Sequence, residues 1–170
     1  MYRIVTRGQA LLTERILVLL LTGLLLAGPA SSLDLIAGGK SASVILLPED
    51  AHADELLAAR ELTTHLQQMT GATLPTTSGR APAGTIPIRI GLALLPGVAE
   101  RIRLTSDDPA AFLLEITADG VSLAGLTAEG TLFATYALLE RLGVRWYMPG
   151  ELGTVVPQSD DVSLHPASDV

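Results

Sequence analysis

The chain has no cysteine, so neither a disulfide framework nor a thiolate metal centre can be built from it. Aromatic residues are few. One Trp, three Tyr and two Phe leave little for a platform on which sugars or bases would stack. Positive charge is also scarce. Eleven Lys and Arg stand against 18 Asp and Glu, a formal charge of −7. That balance opposes nucleic-acid binding, because phosphate contacts need clustered Lys and Arg. Internal repeats and low-complexity tracts are missing too. A length of 170 residues suffices for one domain with a real core and hardly for two.

The long apolar run is at the N-terminus. Arg3, Arg7 and Arg15 make a positive region, Ile16 to Ala27 an apolar stretch (ILVLLLTGLLLA), and Gly28, Ala30, Ser31 and Ser32 a small-residue exit. This order predicts a secretory signal peptide over residues 1–32, cleaved after Ala30 or Ser32, with an uncleaved anchor as the alternative. Removal takes three arginines and one glutamate and moves the formal charge from −7 to −9. The mature protein is expected to be acidic and extracytoplasmic, with no membrane contact beyond the signal segment.

The remainder is organised around Gly130 to Pro149, GTLFATYALLERLGVRWYMP, which reads as a helix followed at once by a short strand. Thr127 can cap the helix, Glu129 suits its positive end, and Gly143 can end it in a left-handed conformation. On a helical wheel Leu132, Tyr136 and Leu139 form one face, Phe133 and Ala137 a flank, and Leu138 and Leu142 another. A helix so apolar around its circumference is normally covered on more than one side. One cover is the sheet this chain can build. The other is expected to be a domain that this chain does not contain.

Upstream, Leu35 to Ala37 and Ser43 to Leu47 read as strands, and a helix is expected from Ala51 to Thr70 with Asp50 as its cap. Ala51, Ala58, Ala59, Leu62, Leu66 and Met69 form its inward face, with Leu56 and Leu57 on the flanks. Pro75 to Thr85 reads as a loop, and Ile86 to Gly91 as a strand whose Pro87 argues for a strand start or a sheet edge. A helical turn is expected near Val98 to Ile102. Phe112 to Thr117 and Val121 to Ala124 flank Asp119-Gly120, a hairpin signal. Arg145 to Tyr147, Thr154 to Val156 and Val162 to Leu164 are short apolar runs. The order implies an α+β fold, an α/β sandwich in which a mixed β-sheet carries two α-helices packed on one face.

Three stretches in this order resemble a known family: AARELTTHLQQMTGATLP (58–75), IRIG (88–91) and ITADGVSLAGLTAEGTLFATYALLERLGVRWYMPGELG (116–153). They are similar to the N-terminal domain that precedes the catalytic barrel of alpha-glucuronidases, itself similar in fold to the N-terminal domain of beta-N-acetylhexosaminidases. The resemblance covers Leu35 to Pro157. It implies a domain over residues 33–157, a linker beginning at 158–170, and helices packed between the sheet and a barrel in cis. It further implies that polysaccharide is met through the barrel, which also holds the catalytic acids. This chain alone is then not expected to be catalytic.

Asp107-Asp108, Glu140 and Glu151 are the acids one would nominate for glycoside hydrolysis, but nothing in their spacing brings two of them to one pocket. Glu61 and His65 stand four apart on the first helix without a third ligand or the HExxH pattern; His52 and His165 are isolated. There is no GxSxG elbow, and Gly120, Gly125 and Gly130 do not make a dinucleotide fingerprint. No catalytic residue, metal or cofactor is therefore expected. Arg145 and Trp146 have two readings. Either they lie near a domain interface or a sugar, or Trp146 packs in the core with Arg145 facing solvent or an acid. The residues nominated for an interdomain surface are Leu57, Phe133, Leu138, Arg145 and Trp146. A stand-alone carbohydrate-binding or protein-interaction module is the competing function, and a fragment without an independent role the third.

Overall fold

The computed structural model describes residues 32–170. The expected signal segment lies outside the described residues up to position 31. From there the chain runs β1 (Leu33–Ala37), β2 (Lys40–Ser41), β3 (Ser43–Leu47), helix α1 (Ala53–Thr70), β4 (Thr76–Ser78), β5 (Ile86–Ile90) and a short helix α2 (Val98–Arg103). It continues through β6 (Phe112–Thr117), β7 (Gly120–Gly125), helix α3 (Ala128–Arg141), β8 (Arg145–Trp146), β9 (Thr154–Val155), β10 (Val162–Leu164) and β11 (Ala167–Asp169).

Six strands form one mixed sheet in the order β11-β6-β7-β5-β3-β4. The four from β7 to β4 are parallel, and β6 and β11 pair antiparallel. The strand pleat sends alternate side chains to opposite faces. Ile45, Ile88, Ile90, Leu114, Ile116, Val121 and Leu123 face one way and share a core with Leu62 and Leu66 of α1 and Leu138 and Leu139 of α3. Leu113 and Ala124 face the other way and pack with Val98 and Ile102 of α2. The two long helices thus lie on one face, as the α+β reading requires, and the third element covers part of the other. Strands β10-β1-β2 make a second, antiparallel sheet, and β8 and β9 a two-stranded ribbon.

Local chemistry sets the helix ends. Helix α1 starts at Ala53 rather than Ala51, and its cap is His52 rather than Asp50. His52 Nδ1 accepts from Asp54 N–H at 3.3 Å while Glu55 accepts from His52 N–H at 2.9 Å. This reciprocal pair satisfies two otherwise orphan donors, which outweighs a lone aspartate two residues earlier. Helix α3 follows expectation. Thr127 Oγ1 accepts from Gly130 N–H at 3.1 Å and donates to Pro109 O at 2.9 Å. At the other end Gly143 (φ +96°) lets its own N–H reach Glu140 O and the Val144 N–H reach Leu139 O, each at 3.0 Å. Thr127→Ala is expected to cost about 1 kcal/mol, seen as a lower urea midpoint at unchanged slope, with Thr127→Ser keeping most of it.

Two expectations are corrected, and one pair of alternatives is decided. Pro87 is the second residue of β5, so it marks a strand start, while β5 itself is central, between β7 and β3, and not an edge. Pro87 is tolerated there because Ile86 N–H bonds Ala42 O, so the next nitrogen faces β7, whose pairing begins only at Val121 opposite Ile88. The supposed loop 75–85 contains β4, paired in parallel with β3. The supposed linker 158–170 is part of the fold. Val162 and Leu164 are buried against β1 as Ser163 faces out, and Ala167 to Asp169 extend the main sheet along β6. The folded region therefore ends beyond Pro157, at least at Asp169.

Candidate functional site

Glu61, His65 and Gln68 share a stripe of α1, and Tyr136 and Glu140 are four apart on α3. Gly143 turns the chain out of α3 so that β8 crosses over the helix layer. Trp146 then meets both helices. Its ring centroid lies 5.5 Å from that of His65 at 71° and 5.4 Å from that of Tyr136 at 85°, edge-to-face in both cases.

Two hollows share the indole. The larger, roughly 760 Å³, is lined by Glu61, His65, Gln68, Trp146, Thr154 and Val156 among others. The smaller, roughly 300 Å³, is lined by Tyr136, Glu140 and Trp146. His65 is buried, with Nδ1 2.8 Å from Glu61 O and 3.7 Å from its carboxylate. Burial, and secondarily the negative charge of Glu61, push the Tyr136 hydroxyl above its ordinary range. Because the neutral phenol is the favoured form, its contribution to stability is complete below about pH 10 and is lost as pH rises through the raised folded value. Absorbance titration at 295 nm is expected to show a late tyrosine step that Tyr136→Phe removes.

The nominated residues divide. Phe133 and Trp146 are each 37% exposed, Arg145 is exposed, and Leu57 is half-buried against the core. Leu138 does not belong with them. It is wholly buried on the sheet-facing side of α3 and offers nothing to a partner. Trp146 as a core residue is likewise corrected. Strand β8 has two residues, pairs with β9 alone and lies outside the helix layer, so its indole closes a groove rather than filling a core. Arg145 faces neither an acid nor open water alone. Its guanidinium donates to Glu140 O and Val144 O, neutralising carbonyls at the negative end of α3.

Other acids and histidines are dispersed. Asp108 accepts from Ala110 N–H at 2.8 Å in the turn before β6, with Asp107 exposed beside it, away from Glu140. Glu151 belongs to a 3-10 turn, Glu151–Gly153, between β8 and β9. His52 is a helix cap and His165 is exposed. Among the described residues no three His, Asp or Glu side chains gather as a metal site, and no helix is long and apolar enough to cross a membrane.

One surface was missed by sequence reasoning. Around the ribbon Tyr147 is 75%, Met148 59%, Leu152 99% and Val155 51% exposed. The apolar surface anticipated on the outer helix faces is limited to Leu56 and Phe133, and most of it lies on this ribbon instead. Apolar residues set in a Pro-Gly segment between two-residue strands were the available signal. Cross-strand pairing puts Trp146 beside Thr154 on the groove side and Arg145 beside Val155 on the outer side.

No protein-family model and no curated protein matches the chain. Among solved structures, a family GH115 4-O-methyl-alpha-glucuronidase with specificity for decorated arabinogalactans matches with a TM-score of 0.55 and 18% identity. The match covers 80% of this chain and 18% of that one, so the chain spans less than a fifth of the glucuronidase. CpGH84D matches more loosely, at a TM-score of 0.45 and 9% identity over 81% of this chain and 22% of its own, and supports no argument. What the first likeness establishes is a shared fold.

Proposed function

We propose that this chain is the non-catalytic N-terminal domain of a secreted glycoside hydrolase resembling alpha-glucuronidase, supporting a catalytic barrel that acts on polysaccharide side groups. The observation that carries this reading is the asymmetry of the match: four fifths of this chain against less than one fifth of a glucuronidase. The ribbon adds a physical reason. Tyr147, Met148, Leu152 and Val155 hold apolar area in water at a cost that burial against a neighbouring domain removes. On this reading residues 1–32 export the protein, and the outer side of β8–β9, with Phe133, faces the barrel.

Reading the coding DNA past Val170 is the direct test. An in-frame extension of barrel length is expected; an immediate stop codon would overturn the cis arrangement. Assayed alone on aldouronic xylo-oligosaccharides, the chain is expected to release no glucuronate, and release would overturn the supporting role. A self-sufficient carbohydrate-binding module is the competing reading, favoured by the polar groove beside an exposed Trp146.

A further inference from the structure

The groove beside Trp146 and its adjoining hollow are lined by carboxylates, of which Glu61 has the His65 imidazole 3.7 Å away. Glu61 lines the groove from α1, and Glu140 lines the adjoining hollow from α3. The Lys or Arg ion pairs among the described residues are Arg101 with Glu115 and Arg141 with Asp169, so neither groove carboxylate has a cationic partner of that kind. Arg145, next to Trp146 in sequence, is committed to main-chain carbonyls. Between the carboxylates, Tyr136 and Trp146 meet at 85° and make an aromatic corner. Ring faces attract cations through their quadrupole, and nearby carboxylates add to that attraction.

The rest of the larger hollow combines the His65 imidazole and the apolar Val156 with uncharged polar groups. Thr64, Gln68 and Thr154 present hydroxyl and amide groups along the larger hollow. Its volume of roughly 760 Å³ lies within the usual ligand-pocket range of about 300–1,000 Å³. An aromatic wall with hydroxyl and amide groups suits a saccharide, and the carboxylates select its charge. We propose that this groove binds an amino sugar, with the ammonium group held among Glu61, Glu140 and the Tyr136–Trp146 corner and the ring hydroxyls meeting Thr64 and Gln68. A uronate would add another negative charge to the site and is rejected. An acetylated amino sugar keeps the ring but loses the charge. This assignment is independent of whether a barrel follows, since it rests on side chains within the chain.

The sole tryptophan of the sequence is Trp146, so its fluorescence reports on the groove directly. The purified protein is titrated at pH 6 with three trisaccharides: glucosamine trimer, its N-acetylated form and an aldouronic acid. Saturable change with the glucosamine trimer is expected, with a Kd at least about tenfold below that of the acetylated trimer and no response to the uronate. Raised salt should weaken the first. Glu61→Gln combined with Glu140→Gln is expected to abolish the preference while leaving the circular dichroism unchanged. Equal or tighter binding of the neutral or acidic sugar would overturn the assignment, as would binding of propylammonium as tight as that of the trimer, which would mean a simple cation site. No saturable change with any probe, checked by calorimetry, overturns it too.

Discussion

Gly125→Ala is expected to destabilise the fold by about 4 kcal/mol or more, the far tail of single substitutions, although it adds one methyl group. A Cβ at Gly125 would lie 2.3 Å from Gly130 C, 2.5 Å from Gly130 Cα and 2.5 Å from Thr131 N. All three are backbone atoms, so no side chain can rotate away. The turn is also tied shut, because Gly125 N–H donates to Thr131 Oγ1 at 2.9 Å and both groups are buried. Relief requires moving the start of α3 off the end of β7. That shift would drag Ala134, Leu138 and Leu139 out of a core already packed against the sheet. Gly130→Ala is the control. Its Cβ would meet Ala111 O at 3.0 Å and Gly125 Cα at 3.2 Å, a tight fit that asks those backbone atoms for a shift of a few tenths of an ångström only. Exchange of a helical Gly for Ala returns about 1 kcal/mol of propensity, so the net loss should be much smaller. Urea denaturation of both variants checks the order. A native midpoint for Gly125→Ala would mean that β7 and α3 do not approach so closely.

Little in the sequence announced that contact, since Gly125 and Gly130 matched no phosphate-binding pattern and had no other local meaning. What was legible is what neighbours in sequence decide. Thr127 and Gly143 marked the ends of α3 because capping is chemistry within a few residues. Asp119-Gly120 marked the hairpin, and Gly120, at φ +128°, supplies the conformation that other residues resist. Strands β4, β10 and β11 were missed or left unplaced. Each has three residues, too few for an alternation to declare itself, and each is set by the neighbour it pairs with. His52 escaped notice because the usual caps are Ser, Thr, Asp and Asn.

The candidate site was legible only as fragments. Glu61 and His65 stood out by their spacing on α1, and Glu140 as an isolated acid on α3. Their convergence depends on the packing of α1 against α3 and on Trp146 reaching both, which no spacing encodes. Trp146 resembled a core residue because large aromatics usually are. Its strand, however, joins a two-stranded ribbon rather than the main sheet, and strand membership is a tertiary fact.

Leu138 and Phe133 give the second large prediction, because a helical wheel placed both outside the main face of α3 and only the fold separates them. Leu138 is wholly buried and Phe133 is 37% exposed. Leu138→Ala removes three carbon atoms from a closed core and leaves a cavity that rigid neighbours fill only in part, so a loss of about 3 kcal/mol is expected. Phe133→Ser exchanges a partly wet ring for a polar group and is expected to cost under about 1 kcal/mol in the isolated chain. The comparison is made by urea midpoints at matched slopes. Equal losses would mean that Phe133 belongs to the core and cannot be reserved for a partner. In a longer protein that includes the proposed barrel the order should narrow, because Phe133 would then also lose contacts across the interface while Leu138 has none to lose there. A Phe133→Ser penalty that grows between the isolated chain and the longer protein would therefore locate the interface on the outer side of α3. An unchanged penalty would move it to the ribbon alone, where Tyr147→Ser becomes the variant that should respond.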